Sequence, residues 1–472
     1  MHDRPVPRLR LLRGRGDLTR SKTDPAARLD YDAAVAGLRS RGRFGISLGL
    51  ARIEALLNDL GNPQRGLRGA LVGGTNGKGS VVALARSVLQ VAGLRVGTMP
   101  KPHLVSYRER IAIDGIPISR ERFAAALAEV VPAIDAVSDR LGPPTEFEAL
   151  TAAAFVELTR AGVDVALVEV GLGGRLDATN VLDAGVAAIT NVQHDHERLL
   201  GPTLAAIGAE KAAIIKRGNL VVTGARGRGL VPILERCAAV GAPLRRSGAG
   251  QPYHVHVRDS SWDGLLVDAT TPAGQMQGVR VGLLGSHQAA NAGVALALLD
   301  ALIEDAARRG AELRIDEAAI RQGFAAAQWP GRLELLAETP LGRVLLDGAH
   351  NPAGARALAR ALGELGMRRF PMVFGATRGK RVSAVLRALA PLEPRPIFTR
   401  VQEGSAMVPA DLLRRWRRFT DQPAHVAPTP DEAIRLAASL RSTPEQPMLV
   451  AGSLYLVGAV RGMLRGEEED AR

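Results

Sequence analysis

Lysine is nearly missing from this chain, and so are cysteine and the aromatic residues. Of 61 basic residues in 472, six are lysines: Lys22, Lys78, Lys101, Lys211, Lys216 and Lys380. Cys237 stands alone, which excludes an internal disulfide framework and fits a reducing, cytoplasmic setting. The pattern around it, Leu230 to Val240, reads as a structural helix rather than the setting of a nucleophile. Aromatic residues make up 3%, too few for the stacking platforms that single-stranded nucleic acid requires. No apolar run reaches the roughly 18 residues of a bilayer span, and no signal-peptide core is visible. With 46% hydrophobic residues and a mean hydropathy of +0.03, the chain reads as globular and soluble, with two or three domains.

Positive charge is in excess. The formal net charge is +13 and the isoelectric point near 10.7, which raises nucleic acid as a partner. Residues 1–28, however, carry seven Arg and one Lys against three Asp, so about +5 of the excess sits there. That stretch has no apolar period and reads as a flexible basic tail. Its acidic residues and its lack of an amphipathic face argue against a transit peptide. The remaining charge suits anionic small molecules, so neither nucleic acid nor a membrane is expected. In a chain that uses Arg almost everywhere, a retained Lys points to a compact ammonium or an amine that can lose its proton and be modified.

One of those lysines lies in Ala70-Leu-Val-Gly-Gly-Thr-Asn-Gly-Lys-Gly-Ser80, which runs straight into the amphipathic segment Val81–Gln90. Apolar run, glycine-rich turn and helix form the strand–loop–helix of a phosphate cradle, where backbone N–H groups and a lysine surround anionic oxygens. The common G-x-x-x-x-G-K-[ST] pattern is not met, because Val72 replaces its first glycine and Gly79 separates Lys78 from Ser80.

The rest of the chain alternates strands and helices. A helix is expected from Tyr31 and another up to Leu60, then strands at Arg95–Met99, Val163–Val170, Gly185–Val192 and Leu220–Thr223, with a helix running through Glu210–Lys216. This predicts a mainly parallel α/β sheet whose ligands sit beyond the carboxyl ends of its strands. Residues 251 to about 285 read as short strands, followed by a helix from His287 to Ile303. At Gln328-Trp-Pro-Gly-Arg332 the punctuation marks a boundary, and a smaller Rossmann-like α/β pattern follows through Val344–Asp347, Pro371–Phe374, Pro396–Phe398 and Met448–Ser453. The domain division read from these signals is a tail over 1–28, an ATP-binding domain over 29–329 and a smaller domain over 330–472.

The phosphate loop, the segment Leu167-Val-Glu-Val-Gly-Leu-Gly-Gly-Arg-Leu-Asp-Ala-Thr-Asn180, Glu210-Lys-Ala and Leu346-Asp-Gly-Ala-His-Asn-Pro352 together resemble the folylpolyglutamate synthase/dihydrofolate synthase family of the Mur-ligase superfamily. The resemblance covers about Tyr31 to Gly458. It implies an ATP-dependent ligase: a pteroate or folate carboxylate is phosphorylated, and the acyl phosphate is attacked by the amine of glutamate. It implies a P-loop domain joined to a smaller ligase domain, one or two Mg²⁺ ions, and a monomer. The rival reading is another Mur-superfamily amino-acid ligase, such as one extending a cell-wall precursor.

Residue by residue, the resemblance implies ATP contacts from Thr75, Asn76, Gly77, Lys78, Gly79 and Ser80, with Asn291 at the adenine and Arg332, Asp347 and His350 from the second domain. Lys78, Glu169, His196 and Lys211 are the implied catalytic group. Ser80, Glu169 and His196 are implied metal ligands, joined by Lys211 if it is carbamylated, a modification Arg could not undergo. The acid substrate is implied to meet Ser47, Leu48, Gly49, Thr145, Glu146, Phe147, Glu148, Leu176 and Asp177, with Phe147 stacking on the pterin and Asp177 accepting its N–H groups. Four places depart from the family pattern. Lys101 stands where the family has a serine metal ligand, Ala213 replaces a glycine, and Ser47 and Gln193-His194 differ from some relatives. A protonated ammonium cannot ligate a metal, so Lys101 is expected to contact phosphate and partly replace one metal.

Overall fold

The computed structural model describes residues 29–42, 48–401, 404–467 and 470. The expected tail over 1–28 and Ser47 lie outside the described residues. The chain opens with helices α1 (Tyr31–Gly42) and α2 (Ala51–Asp59), then strand β1 (Gly69–Gly73), helix α3 (Lys78–Val91) and strand β2 (Val96–Met99). Short strands β3 (Ala112–Ile113) and β4 (Ile116–Pro117) precede α4 (Arg120–Leu141), α5 (Glu146–Ala161), β5 (Val165–Glu169) and β6 (Gly185–Ile189). Next come α6 (Glu197–Leu200), α7 (Leu204–Ala212), β7 (Leu220–Thr223), α8 (Val231–Val240) and β8 (Leu244–Arg246). The strand order is β4-β3-β2-β5-β1-β6-β7-β8, parallel from β2 to β8.

Continuous apolar strands are what a sheet covered on both faces demands. Along β1, Leu71 belongs to one hydrophobic core while Ala70 and Val72 belong to the other, and β5 alternates in the same way. The first core is closed by α1, α2, α4, α5, α7 and α8. The second is closed by α3, a three-stranded antiparallel sheet of β9 (His254–Ser261), β10 (Gly264–Thr271) and β11 (Gly274–Val281), and helices α9 (Gln288–Arg308) and α10 (Glu317–Ala326). These three strands are longer than the short pieces expected over 251–285. The helix expected through Lys216 stops at Ala212. Beyond it, Lys216 donates to Asn180 Oδ1 (3.0 Å) and to the Leu182 carbonyl (2.9 Å), which turns the chain back into β7.

After residues 327–331 a second sheet begins. It is built from β12 (Arg332–Leu336), β13 (Val344–Asp347), β14 (Pro371–Phe374), β15 (Arg395–Phe398), β16 (His425–Val426) and β17 (Met448–Ala451), ordered β12-β13-β17-β14-β15-β16 with only β12 antiparallel. Helices α11 (Pro352–Glu364), α12 (Val382–Leu389) and α13 (Pro409–Trp416) lie on one face, α14 (Pro430–Ser439) and α15 (Leu454–Arg465) on the other.

The two parts interlock at one loop. Leu104 and Val105, from the segment after β2, belong to the core formed by β13, β17, α14 and α15. Gly458 of α15 lies so close that a Cβ there would overlap the Leu104 carbonyl, and a backbone obstacle cannot rotate away. Gly458→Ala is therefore expected to lower unfolding stability by about 1–3 kcal/mol. Chemical denaturation of variant and parent checks this.

Candidate active site

Four neighbouring strands deliver their carboxyl ends to one place. In sheet order β2, β5, β1, β6 they end at Lys101, Glu169, the glycine-rich loop and the segment Asn191–His196. Facing them across a cavity of about 580 Å³ are Asn291, Arg332, Asp347, His350 and Lys380. The cavity is lined by every residue expected to contact ATP and by Glu169, His196 and Lys211.

The loop is held as a cradle by its glycines. Gly77 caps α3 in the left-handed conformation (φ 83°) and lies against the Asn291 amide, leaving no room for a Cβ. A Cβ on Gly79 would lie 2.5 Å from the Trp329 ring. Asn76 donates its backbone N–H to Asn191 Oδ1 (3.1 Å) and its amide to Gln193 Oε1 (2.6 Å). From the second part of the chain, Asn351 donates to Asn76 Oδ1 (3.1 Å) and Asp195 Oδ2 (3.0 Å) while its own Oδ1 caps α11. Lys380 approaches Asp195 Oδ1 at 3.5 Å and His196 Nε2 at 3.4 Å.

Charge is crowded here. Glu169 is buried, and burial raises its pKa against the pull of Lys78, whose Nζ is 3.8 Å away. Lys78 also donates to the Gly74 carbonyl at 3.1 Å. Burial, reinforced by Lys78, brings Lys211 down to about 7. Burial likewise lowers Lys101 to about 7, with Asp177 as the strongest opposing charge. His350 falls to about 4 through burial and then Lys380, and His196 is lowered for the same two reasons. Asp347, raised by burial, accepts from the Leu333 and Ala349 N–H groups. No group of three His, Cys, Asp or Glu able to hold a metal occurs among the described residues.

Most of the residues expected at the acid substrate are held at the start of α5 and in the turn after β5. Leu48, Gly49, Thr145 to Glu148, Leu176 and Asp177 do not line the cavity. Thr145 and Glu148 form the reciprocal N-terminal cap of α5, and Glu148 Oε2 also accepts from Arg52 (3.1 Å). Glu146 accepts from the Tyr107 hydroxyl at 2.8 Å. Asp177 accepts from the N–H groups of Gly171, Leu172 and Thr179 and from the Thr179 hydroxyl, so its oxygens brace a turn. Over the Phe147 ring lies the Lys101 ammonium, and Lys101 lines the same cavity as the phosphate loop. Asn351, Asp195, Lys380 and Trp329 were not expected as site residues. Their signal was adjacency to the named motifs, which does not reveal a contact across the cleft.

A glycine cradle faces a second α/β unit across a cleft, and both halves match the domains of a Mur-type ligase. Residues 72–299 match the Mur ligase middle domain, and residues 331–454 match the Mur ligase glutamate ligase domain. Over 457 residues the chain is 32% identical to a Bacillus subtilis dihydrofolate synthase/folylpolyglutamate synthase, covering 92% of this chain and 99% of that one. A Mycobacterium tuberculosis protein of the same description is 37% identical over 421 residues, covering 86% and 85%. The solved Mycobacterium tuberculosis folylpolyglutamate synthase complexed with ADP superposes with a TM-score of 0.83 at 34% identity, covering 92% of this chain and 99% of that one. This chain belongs to the dihydrofolate synthase/folylpolyglutamate synthase family. The rival of a cell-wall precursor ligase falls away. No helix among the described residues is long and apolar enough to cross a membrane.

Two outcomes follow from this geometry. Gly77→Ala places a Cβ in the Asn291 amide and strains a left-handed backbone, so ADP affinity is expected to drop by about tenfold or more, as read by calorimetry. Lys211 titrates near 7 when folded and near 10.5 when unfolded. Between those values the unfolded chain holds the extra proton, so this group's contribution to stability rises with pH across the window and is smallest below about 7. Lys211→Met is expected to flatten that rise, measured by denaturation at a series of pH values.

Proposed function

We propose that this protein adds glutamate to dihydropteroate, to a reduced folate, or to both, through an acyl phosphate made at the expense of ATP. The observation that carries this reading is the convergence of the phosphate loop, Glu169 and Lys211 with Asn291, Arg332 and Asp347 on one cleft. Relatives described by both activities support it.

In this reading the N–H groups of Asn76 to Gly79, at the N-terminus of α3, hold the phosphates, and Lys78 and Arg332 neutralise them from opposite sides. Asn291 meets the adenine, and Asp347 and His350 frame the remainder of the nucleotide. An oxygen of the substrate carboxylate attacks the γ-phosphorus and ADP leaves. The amine of glutamate then attacks the acyl carbon, phosphate departs and the amine loses a proton. Closure of the cleft, braced by Asn351 and Lys380, keeps water from the acyl phosphate.

The donor set fits Mg²⁺ carried in with the nucleotide. Ser80 and Glu169 are oxygen donors beside the loop, Glu169 has lone pairs that no side-chain hydrogen bond occupies among the described residues, and this ion takes one or two protein oxygens plus phosphate. It would supply neutralisation of the triphosphate. A second ion at His196 would stand next to Lys380 and close to Lys211, an arrangement that favours a cation only once Lys211 carries a carbamate. Lys211, buried with its pKa near 7, offers the neutral amine that this modification needs. The protein acts as a cytoplasmic monomer on small molecules.

The test is phosphate release from ATP with Mg²⁺ and glutamate, comparing dihydropteroate with tetrahydrofolate. Release with dihydropteroate alone identifies a dihydrofolate synthase, release with tetrahydrofolate alone a folylpolyglutamate synthase, and release with both a bifunctional enzyme. Release with neither overturns the proposal. Lys78→Ala is expected to reduce kcat by about 10²-fold or more.

A further inference from the structure

Lys101 departs from the pattern that the family resemblance implies, and the structure gives it a distinct setting. Its backbone N–H donates to Glu169 Oε2 at 3.2 Å, while Glu169 Oε1 faces Lys78. One buried carboxylate thus meets the Lys78 ammonium with one oxygen and the Lys101 backbone with the other. Lys78 turns into the phosphate loop, where it meets the Gly74 and Thr75 carbonyls. The Lys101 ammonium lies over the Phe147 ring, where a Cβ on Gly171 would collide with it.

The ammonium of Lys101 has a ring beneath it and no oxygen among the described residues within hydrogen-bond or ion-pair reach. Asp177, the strongest opposing charge, has committed its carboxylate to Gly171, Leu172 and Thr179. An ammonium has three donors. Burying them without acceptors is costly, and a face-on ring offsets only part of that cost. Lys101 also lines the same cavity as the phosphate loop, so an acceptor can reach it from that cavity.

We propose that Lys101 binds the carboxylate of the acid substrate and holds it for attack on the γ-phosphate. This rests on the ligase reading above and adds to it the residue that recognises the reacting group. The division of labour follows from the two positions: Lys78 lies in the phosphate loop, while Lys101 lines the same cavity beside Phe147, where the carboxylate of the acid would meet it. A serine at this position offers a neutral hydroxyl. A lysine, once protonated, offers a charge that a carboxylate satisfies and a neutral amide does not, so this chain discriminates the two at the point of binding. Lys101 performs no covalent step; the carboxylate oxygen that it positions forms the new bond to phosphorus as ADP leaves.

The test compares binding of dihydropteroate and of its carboxamide analogue by calorimetry, at saturating ADP and Mg²⁺, to the full chain and to Lys101→Met. The parent is expected to prefer the acid by about tenfold or more, and K101M to bind both alike while its ADP affinity stays within about twofold. K101Q replaces K101M should the latter not fold. An undiminished preference in the variant overturns the proposal. So does a loss of ADP affinity with the preference intact, which would make Lys101 a phosphate ligand. If the parent binds ADP but neither pterin compound, the ligase reading fails and this proposal with it.

Discussion

A single buried carboxylate sets the terms for the rest of the site. Glu169 ends the strand between β1 and β2, paired in register with Val72 on one side and one residue beyond Val168, the partner of Met99, on the other. An isolated charge at that depth is unfavourable, and it is tolerated because positive groups surround it. Lys78, the Lys101 N–H and Arg332 all bear on it. Burial lowers Lys101 and Lys211 to about 7 in the same cleft, with Lys78 adding to the effect on each. The cleft gathers Lys78, Lys101, Lys211, Arg332 and Lys380 around Glu169, Asp195 and Asp347, and a triphosphate with a carboxylate substrate would offset that excess of positive charge.

The core of the fold was legible because burial leaves a simple mark. β1, β5, β6, β13, β14 and β17 are short unbroken apolar runs, since both faces of each strand are covered. Edge strands leave a fainter mark. β8 reads Leu-Arg-Arg, and β16 is two residues long, so neither stands out from a loop. The helix expected through Lys216 failed for a different reason: its apolar spacing persists beyond Ala212, but side-chain hydrogen bonds to Asn180 and Leu182 end it.

The nucleotide side of the site was legible for a related reason. A backbone that must approach phosphate needs glycine at fixed places, and steric demands survive translation into sequence. Gly77 and Gly79 are present because Asn291 and Trp329 sit where side chains would go. The acid-substrate side carries a fainter mark, because a carboxylate looks the same in sequence whether or not it also caps a turn, as Asp177 and Glu148 do. Asn351 and Lys380 were hidden because their partners lie more than 150 residues away along the chain.

The segment after β2 carries Lys101 at one end and Leu104 and Val105 a few residues on, seated in the hydrophobic core of the second sheet. A residue at the catalytic cleft is thereby tied, through three peptide units, to the interior of the opposite half of the molecule. That half is not a transferable module. Cut free or exchanged for a relative's, it would expose an apolar socket shaped to its own loop, and the incoming loop would set Lys101 by someone else's packing. A change of packing in the core around Leu104 would therefore be felt at Lys101 in the cleft.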